Sequence, residues 1–128
     1  MPRLIINTEL ITLNQYINIE RGNKFGAAAI KKKLTNKVSS FATDAKFKIE
    51  PDVKHDIVLT WFKPNNRSDH DNISFAVKFV LDGLIKAGIL QNDSPKYIGS
   101  IIHHFELDRT KSYITCEIEF IPSLPLIN

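Results

Sequence analysis

The chain has one cysteine, Cys116, so no disulfide can close within it. That thiol lies in an apolar stretch and reads as a small packed side chain rather than a nucleophile. No run of residues approaches the roughly 20 apolar positions that a membrane-crossing helix needs. Met1-Pro2-Arg3 leads into a short strand-like run, not a long apolar stretch with a cleavage site, so no signal peptide and a cytoplasmic location are expected. Repeats, low-complexity tracts and linkers are also missing. Charge of one sign is in short supply: 17 Lys and Arg stand against 14 Asp and Glu, a net charge of +3 that permits nucleic-acid binding without requiring it.

What is there is the composition of one ordinary domain. Hydrophobic residues make up 43% and charged residues 24%, which argues against disorder. A chain of 128 residues can bury a real core, so residues 1–128 are read as a single domain. The basic residues are unevenly spread. Arg21, Lys24, Lys31, Lys32, Lys33 and Lys37 fall within residues 21–37, with only Glu20 beside them. This is either a solvated helix face or a patch that contacts phosphates.

Leu4, Ile5, Ile6, Leu10, Ile11 and Leu13 read as a first strand interrupted by Asn7-Thr8-Glu9. Residues 14–23 are expected to form a loop or short helix. From Ala27 to about Phe41, Ile30, Leu34, Val38 and Phe41 recur at helical spacing. His55 to Phe62 is a β-rich run with both faces apolar, which predicts a strand buried on both sides. Ile73, Val77, Val80, Leu81, Leu84 and Ile85 form one helical stripe, with Ser68 or Asp69 placed to cap it and Gly88 to stop it. Tyr97 to Leu107 and Tyr113 to Ile121 are predicted as a hairpin, and the tail from Pro122 as irregular. The expected class is α/β: β-α-β-α-β-β, a mixed sheet with two main helices.

Arg67-Ser68-Asp69-His70-Asp71-Asn72 is the most informative segment. Asp69 and Asp71 lie one residue apart where the second helix begins, and Asp93 follows that helix. Carboxylates gathered in this way repel one another unless a divalent cation sits among them, and hard cations such as Mg²⁺ take oxygen ligands. Each residue also has a plainer reading. Acidic side chains at a helix start favour the dipole, His70 faces solvent, Asn72 bonds loop backbone, and Asp93 before Ser94-Pro95 forms a turn. Seven residues beyond Asp71, at about 100° per residue, Lys78 falls about 20° from it around the helix and leans toward the carboxylates. It is then placed either to offset charge on a phosphate or to pair with Asp82.

In combination, the stretch from Arg67 to Ser94 resembles the RusA family of Holliday-junction resolvases, particularly its phage-encoded branch. The motifs carrying the resemblance are Asp69-His70-Asp71-Asn72, Leu81-Asp82-Gly83-Leu84 and Asn92-Asp93, with a looser match at Leu13-Asn14-Gln15-Tyr16-Ile17. The resemblance implies a RusA-like fold and a homodimeric, Mg²⁺-dependent endodeoxyribonuclease that resolves four-way DNA junctions by paired symmetric cuts, in recombination and repair. By position it makes Asp69, Asp71 and Asp93 the metal-binding catalytic carboxylates. The basic residues Arg21, Lys24, Lys31, Lys32, Lys33 and Arg67 would then contact DNA. Family members place a functional lysine four residues after the second motif aspartate, where this chain has Phe75; Lys78, about a turn further on, is expected to substitute. Two alternatives stand beside this expectation: a dimer that binds branched DNA without cutting it, and a nuclease for other branched DNA.

Overall fold

The structure, a computed structural model, describes residues 3–123, and of Lys24 only the backbone. The first strand, β1 (Arg3–Leu10), alternates strictly, with Leu4, Ile6, Thr8 and Leu10 facing inward. The strand runs on through Asn7-Thr8-Glu9 with Thr8 facing inward, but the expected interruption shows in its pairing, whose register shifts between Ile6 and Leu10. Helix α1 (Leu13–Gly22) is set by a capping box. The Thr12 hydroxyl accepts from the Gln15 amide at 3.3 Å, and the Gln15 side chain accepts from the Thr12 amide at 2.8 Å. The stretch left open between loop and helix is therefore helical. Asn23 ends α1 and also caps α2 (Lys24–Asp44), accepting from the Phe25 amide at 2.9 Å.

Strand β2 (His55–Lys63) is central. His55, Ile57, Leu59 and Trp61 are fully buried on the helix-covered face. Asp56, Val58, Thr60 and Phe62 are only half-buried, because the helices lie on one side of the sheet. Burial on both faces was the wrong expectation; apolar Val58 and Phe62 sit on an open face shared with polar neighbours. His55 is buried, neither ring nitrogen has a hydrogen-bond partner among the described residues, and its ring meets that of Phe120 edge-to-face.

The stripe from Ile73 to Ile85 is two helices, not one. Helix α3 (His70–Ser74) and helix α4 (Val77–Lys86) are separated by a turn at Phe75–Ala76. There the bonds from Ala76 N–H to Ile73 C=O and from Phe79 N–H to Ala76 C=O have the tighter three-residue span. Tertiary packing accounts for the break. Phe75 lies 5.4 Å from Tyr16 and 5.6 Å from Phe79 between ring centroids, while Ala76 is fully buried. Helix α4 meets α2 at Gly83, where an added Cβ would lie 2.5 Å from the Val38 Cβ.

Strands β3 (Ile98–Leu107) and β4 (Ile114–Pro122) complete a four-stranded mixed sheet in the order β1-β4-β2-β3. They are not a hairpin. β2 lies between them, parallel to β3 and antiparallel to β4. The connection, in which the Asp108 carboxylate accepts from the Thr110 amide at 3.0 Å, steps across the end of β2. β2 is paired on both sides, and β3 is left on the edge with Ile101 and Ile102 each 42% exposed. The chain is thus a single small α/β domain, as the composition predicts. β4 extends through Pro122, and residues 124–128 of the expected tail lie outside the described residues. Among the described residues no helix is long and apolar enough to cross a membrane.

Candidate functional site

The loop that follows β2 and the short helix α3 form a ledge at the C-terminal end of that strand. A depression of about 430 Å³ there is lined by Lys63, Asn66, Ser68, Asp69, His70 and Asp71. Each neighbour of the two carboxylates is anchored to a different element. Ile73 is buried in the core. Asn72 accepts from the Asn14 amide at 2.9 Å, tying α3 to the start of α1. His70 stacks on Phe105 of β3, with ring centroids 3.9 Å apart and planes 6° from parallel.

The carboxylates themselves are left over. Asp69 occupies the N-cap position with extended backbone (φ −68°, ψ 157°), yet its side chain makes no capping bond. Asp71 lies exposed in the first turn. Asn72 therefore has the backbone-bonding role among its alternatives, while Asp69 lacks the capping role proposed for it. His70 is exposed but ordered by a ring face.

Asp93 lies elsewhere. The turn around it is made by Asn92, whose side chain accepts from the Ser94 amide at 2.9 Å. Ser94 C=O accepts from Tyr97 and Ile98 N–H, and Tyr97 C=O accepts from His55 N–H, so Asp93 sits near the N-terminal end of β2. Asp69 and Asp71 sit past its other end. The six residue steps from His55 to Trp61 alone span about 20 Å. One chain therefore brings Asp69 and Asp71 together and keeps Asp93 away from them. Accordingly, among the described residues no group of three or more His, Cys, Asp and Glu side chains could hold a metal ion.

Lys78 is exposed at the start of α4, and among the described residues no ion pair joins it to Asp82. The turn at Phe75–Ala76 removes the continuous helix on which Lys78 and Asp71 shared a face. Phe75 faces the aromatic cluster with Tyr16 and Phe79 rather than the ledge. The cation that does line the ledge is Lys63, which the sequence reading passed over. Its signal was modest: the last residue of an apolar strand, directly before the loop that carries the carboxylates.

Of the other basic residues, Arg21 is exposed at the end of α1 and Lys31, Lys32 and Lys33 are exposed on α2. The side chain of Lys24 lies outside the described residues. Arg67 is exposed and lines a second, polar cleft of about 330 Å³. This cleft adjoins the ledge, since Lys63 and Ser68 line both. Beneath the ledge, Trp61 Nε1 donates to His103 Nδ1 at 2.9 Å, and burial holds the His103 pKa below its ordinary value.

No protein-family model and no curated protein matches the chain.

Proposed function

We propose that the chain is a homodimeric, Mg²⁺-dependent, structure-selective endodeoxyribonuclease acting on four-way DNA junctions. The observation that carries this reading is the pair Asp69 and Asp71, whose carboxylates make no hydrogen bond or ion pair among the described residues, on a ledge that three elements hold in place. Two carboxylates on an open surface suit Mg²⁺, which usually retains waters and completes its shell with substrate phosphate. Bound there, the ion would polarise a phosphate and activate water. Lys63 borders the same depression and supplies positive charge for the phosphate. Lys31, Lys32 and Lys33 offer contacts that hold a DNA arm by its backbone, without reading sequence.

The position of Asp93 supports the dimer. β3 is an edge strand with one row of backbone groups free and apolar side chains exposed. Its N-terminal end leads back to Asp93, and its C-terminal half runs beneath His70. Antiparallel pairing of β3 with the same strand of a second copy, across a two-fold axis, reverses those ends. The partner's Asp93 then approaches Asp69 and Asp71, and the dimer holds two such sites. Two related sites match the two symmetric cuts a junction requires.

Cleavage of a labelled four-way junction with Mg²⁺ tests the activity. Asp69→Asn and Asp71→Asn should each abolish cleavage while leaving junction binding intact or tighter. Mixed dimers test the arrangement. If the third aspartate comes from the partner, combining an Asp69→Asn protomer with an Asp93→Asn protomer leaves one site with all three aspartates. Cleavage should then reappear as single nicks. A mixture as inactive as its parents would place all three residues in one chain's site, and wild-type cleavage by both ledge variants would end the metal reading. The packing of Phe75 away from the ledge favours the second reading, a branched-DNA-binding dimer that does not cut; that reading prevails if the wild type binds junctions and never cleaves them.

A further inference from the structure

Beside the carboxylate ledge, the second cleft has a lining with a chemical bias. Four of its side chains are amides, Asn14, Gln15, Asn65 and Asn72, and the last three have their oxygen occupied. Gln15 Oε1 accepts from Thr12 N–H at 2.8 Å, Asn65 Oδ1 from Arg67 N–H at 3.0 Å, and Asn72 Oδ1 from Asn14 N–H at 2.9 Å. A backbone N–H can only donate, so these bonds settle which end of each amide is which. The free ends of these three are NH₂ groups, donors only, while Asn14 can present either end. Lys63 and Arg67 add two cationic donors to the same cleft, against a single carboxylate, Glu9. Tyr113, 37% exposed, contributes an aromatic ring.

We infer that this cleft binds one unstacked deoxynucleotide of the DNA strand, next to the phosphate on the carboxylate ledge. A deoxynucleotide is the ligand class this lining selects: anionic at the phosphate, rich in acceptors along the base edge, and flat enough to lie on Tyr113. A volume of about 330 Å³ takes one nucleotide and excludes a duplex arm. Because Lys63 and Ser68 line both cleft and ledge, the bound nucleotide and the scissile phosphate belong to neighbouring positions of one strand. An aromatic ring gives stacking that tolerates any base, and fixed donors then favour bases that present acceptors to them. The cleft is thus the part of the molecule that would give the cut a sequence preference. The ligand's identity rests on the endonuclease reading; the donor bias of the lining does not.

The test is titration of the full chain with a deoxynucleoside monophosphate and, separately, with inorganic phosphate. The readout is the side-chain NH₂ resonances of Gln15, Asn65 and Asn72 by NMR. The nucleotide should shift all three and saturate at a concentration at least about tenfold below that for phosphate, since each tenfold step is 1.4 kcal/mol. Asn65→Asp keeps an oxygen for the Arg67 amide but replaces the free donors with a carboxylate, and should weaken the nucleotide by tenfold or more. Tyr113→Ala should weaken it too, and should abolish the fluorescence rise of 2-aminopurine placed beside the cut in a bound junction. Unmoved NH₂ resonances, or phosphate binding as tightly as nucleotide, would overturn the inference. Junction cleavage with a silent titration removes the subsite and leaves the nuclease standing. Nucleotide saturation in a chain that never cleaves does the reverse.

Discussion

His103 shows how one side chain can couple the sheet to pH. It accepts from Trp61 through Nδ1, which requires that nitrogen to be unprotonated. Burial lowers its pKa below the ordinary 6.5, so between the two values the unfolded chain binds more protons than the folded one. The contribution to stability is therefore fully present above pH 6.5 and is lost as pH falls through that value and then the lowered one. Urea unfolding at pH 7.5 and pH 5 should show a fall in midpoint for the wild type. His103→Gln keeps an acceptor for Trp61 and cannot titrate, so its fall should be smaller by the share that His103 contributes. Equal falls in both proteins would exclude His103 as a source of the pH dependence. Cys116 has a simpler fate: burial pushes its thiol pKa up and leaves it inert, in keeping with its apolar sequence neighbours.

At the level of elements, the helical and strand periods were legible, and the junctions between them were not. Strand β2 and helix α2 follow directly from their apolar spacing, and the ledge follows from Asp69-His70-Asp71. The break at Phe75–Ala76 was hidden because Ile73, Val77 and Val80 satisfy one helical stripe on either side of it; Phe75 there packs on Tyr16, 59 residues earlier in the chain, a contact no local pattern reports. The β3–β4 pairing failed similarly. A polar connection between two strands fits a hairpin as well as a step across a third strand, and only the pairing of β2 with both shows which strand lies between them. The break matters for function, because it shifts the expected cationic role from Lys78 to Lys63. Lys63→Ala should lower single-turnover junction cleavage by about 10²-fold, roughly 2.7 kcal/mol of barrier. Lys78→Ala should stay within a few-fold of wild type, with melting temperatures of both near wild type. The opposite ranking would return the role to Lys78.

For the whole molecule, one asymmetry organises the proposal. Helices cover one face of the sheet, Arg3 bridges Glu117 and Glu119 on the other, and β1 and β3 form the two edges. Of these edges β3 is the less protected. Ile101 and Ile102 on opposite faces and Leu107 at its end are each at least 40% exposed, and among its ten residues the only charged side chain besides histidine is Glu106. An edge of this kind is where a second copy adds with least cost, and antiparallel addition is the geometry that unites the two ends carrying the aspartates. Ile102 lies close to the midpoint of β3, hence close to the proposed two-fold axis. Ile102→Lys would set two ammonium groups near one another across that axis, while in a single chain the new side chain reaches solvent with little loss of packing. On the proposed dimer, the wild type should sediment as a dimer and the variant as a monomer at the same concentration, and the variant should keep its circular dichroism spectrum and lose junction cleavage, since its Asp69 and Asp71 would no longer meet the partner's Asp93. A variant that stays dimeric and cleaves normally would show that β3 is not the shared edge. A monomeric variant that still cleaves would show that the ledge needs no residue from a second copy.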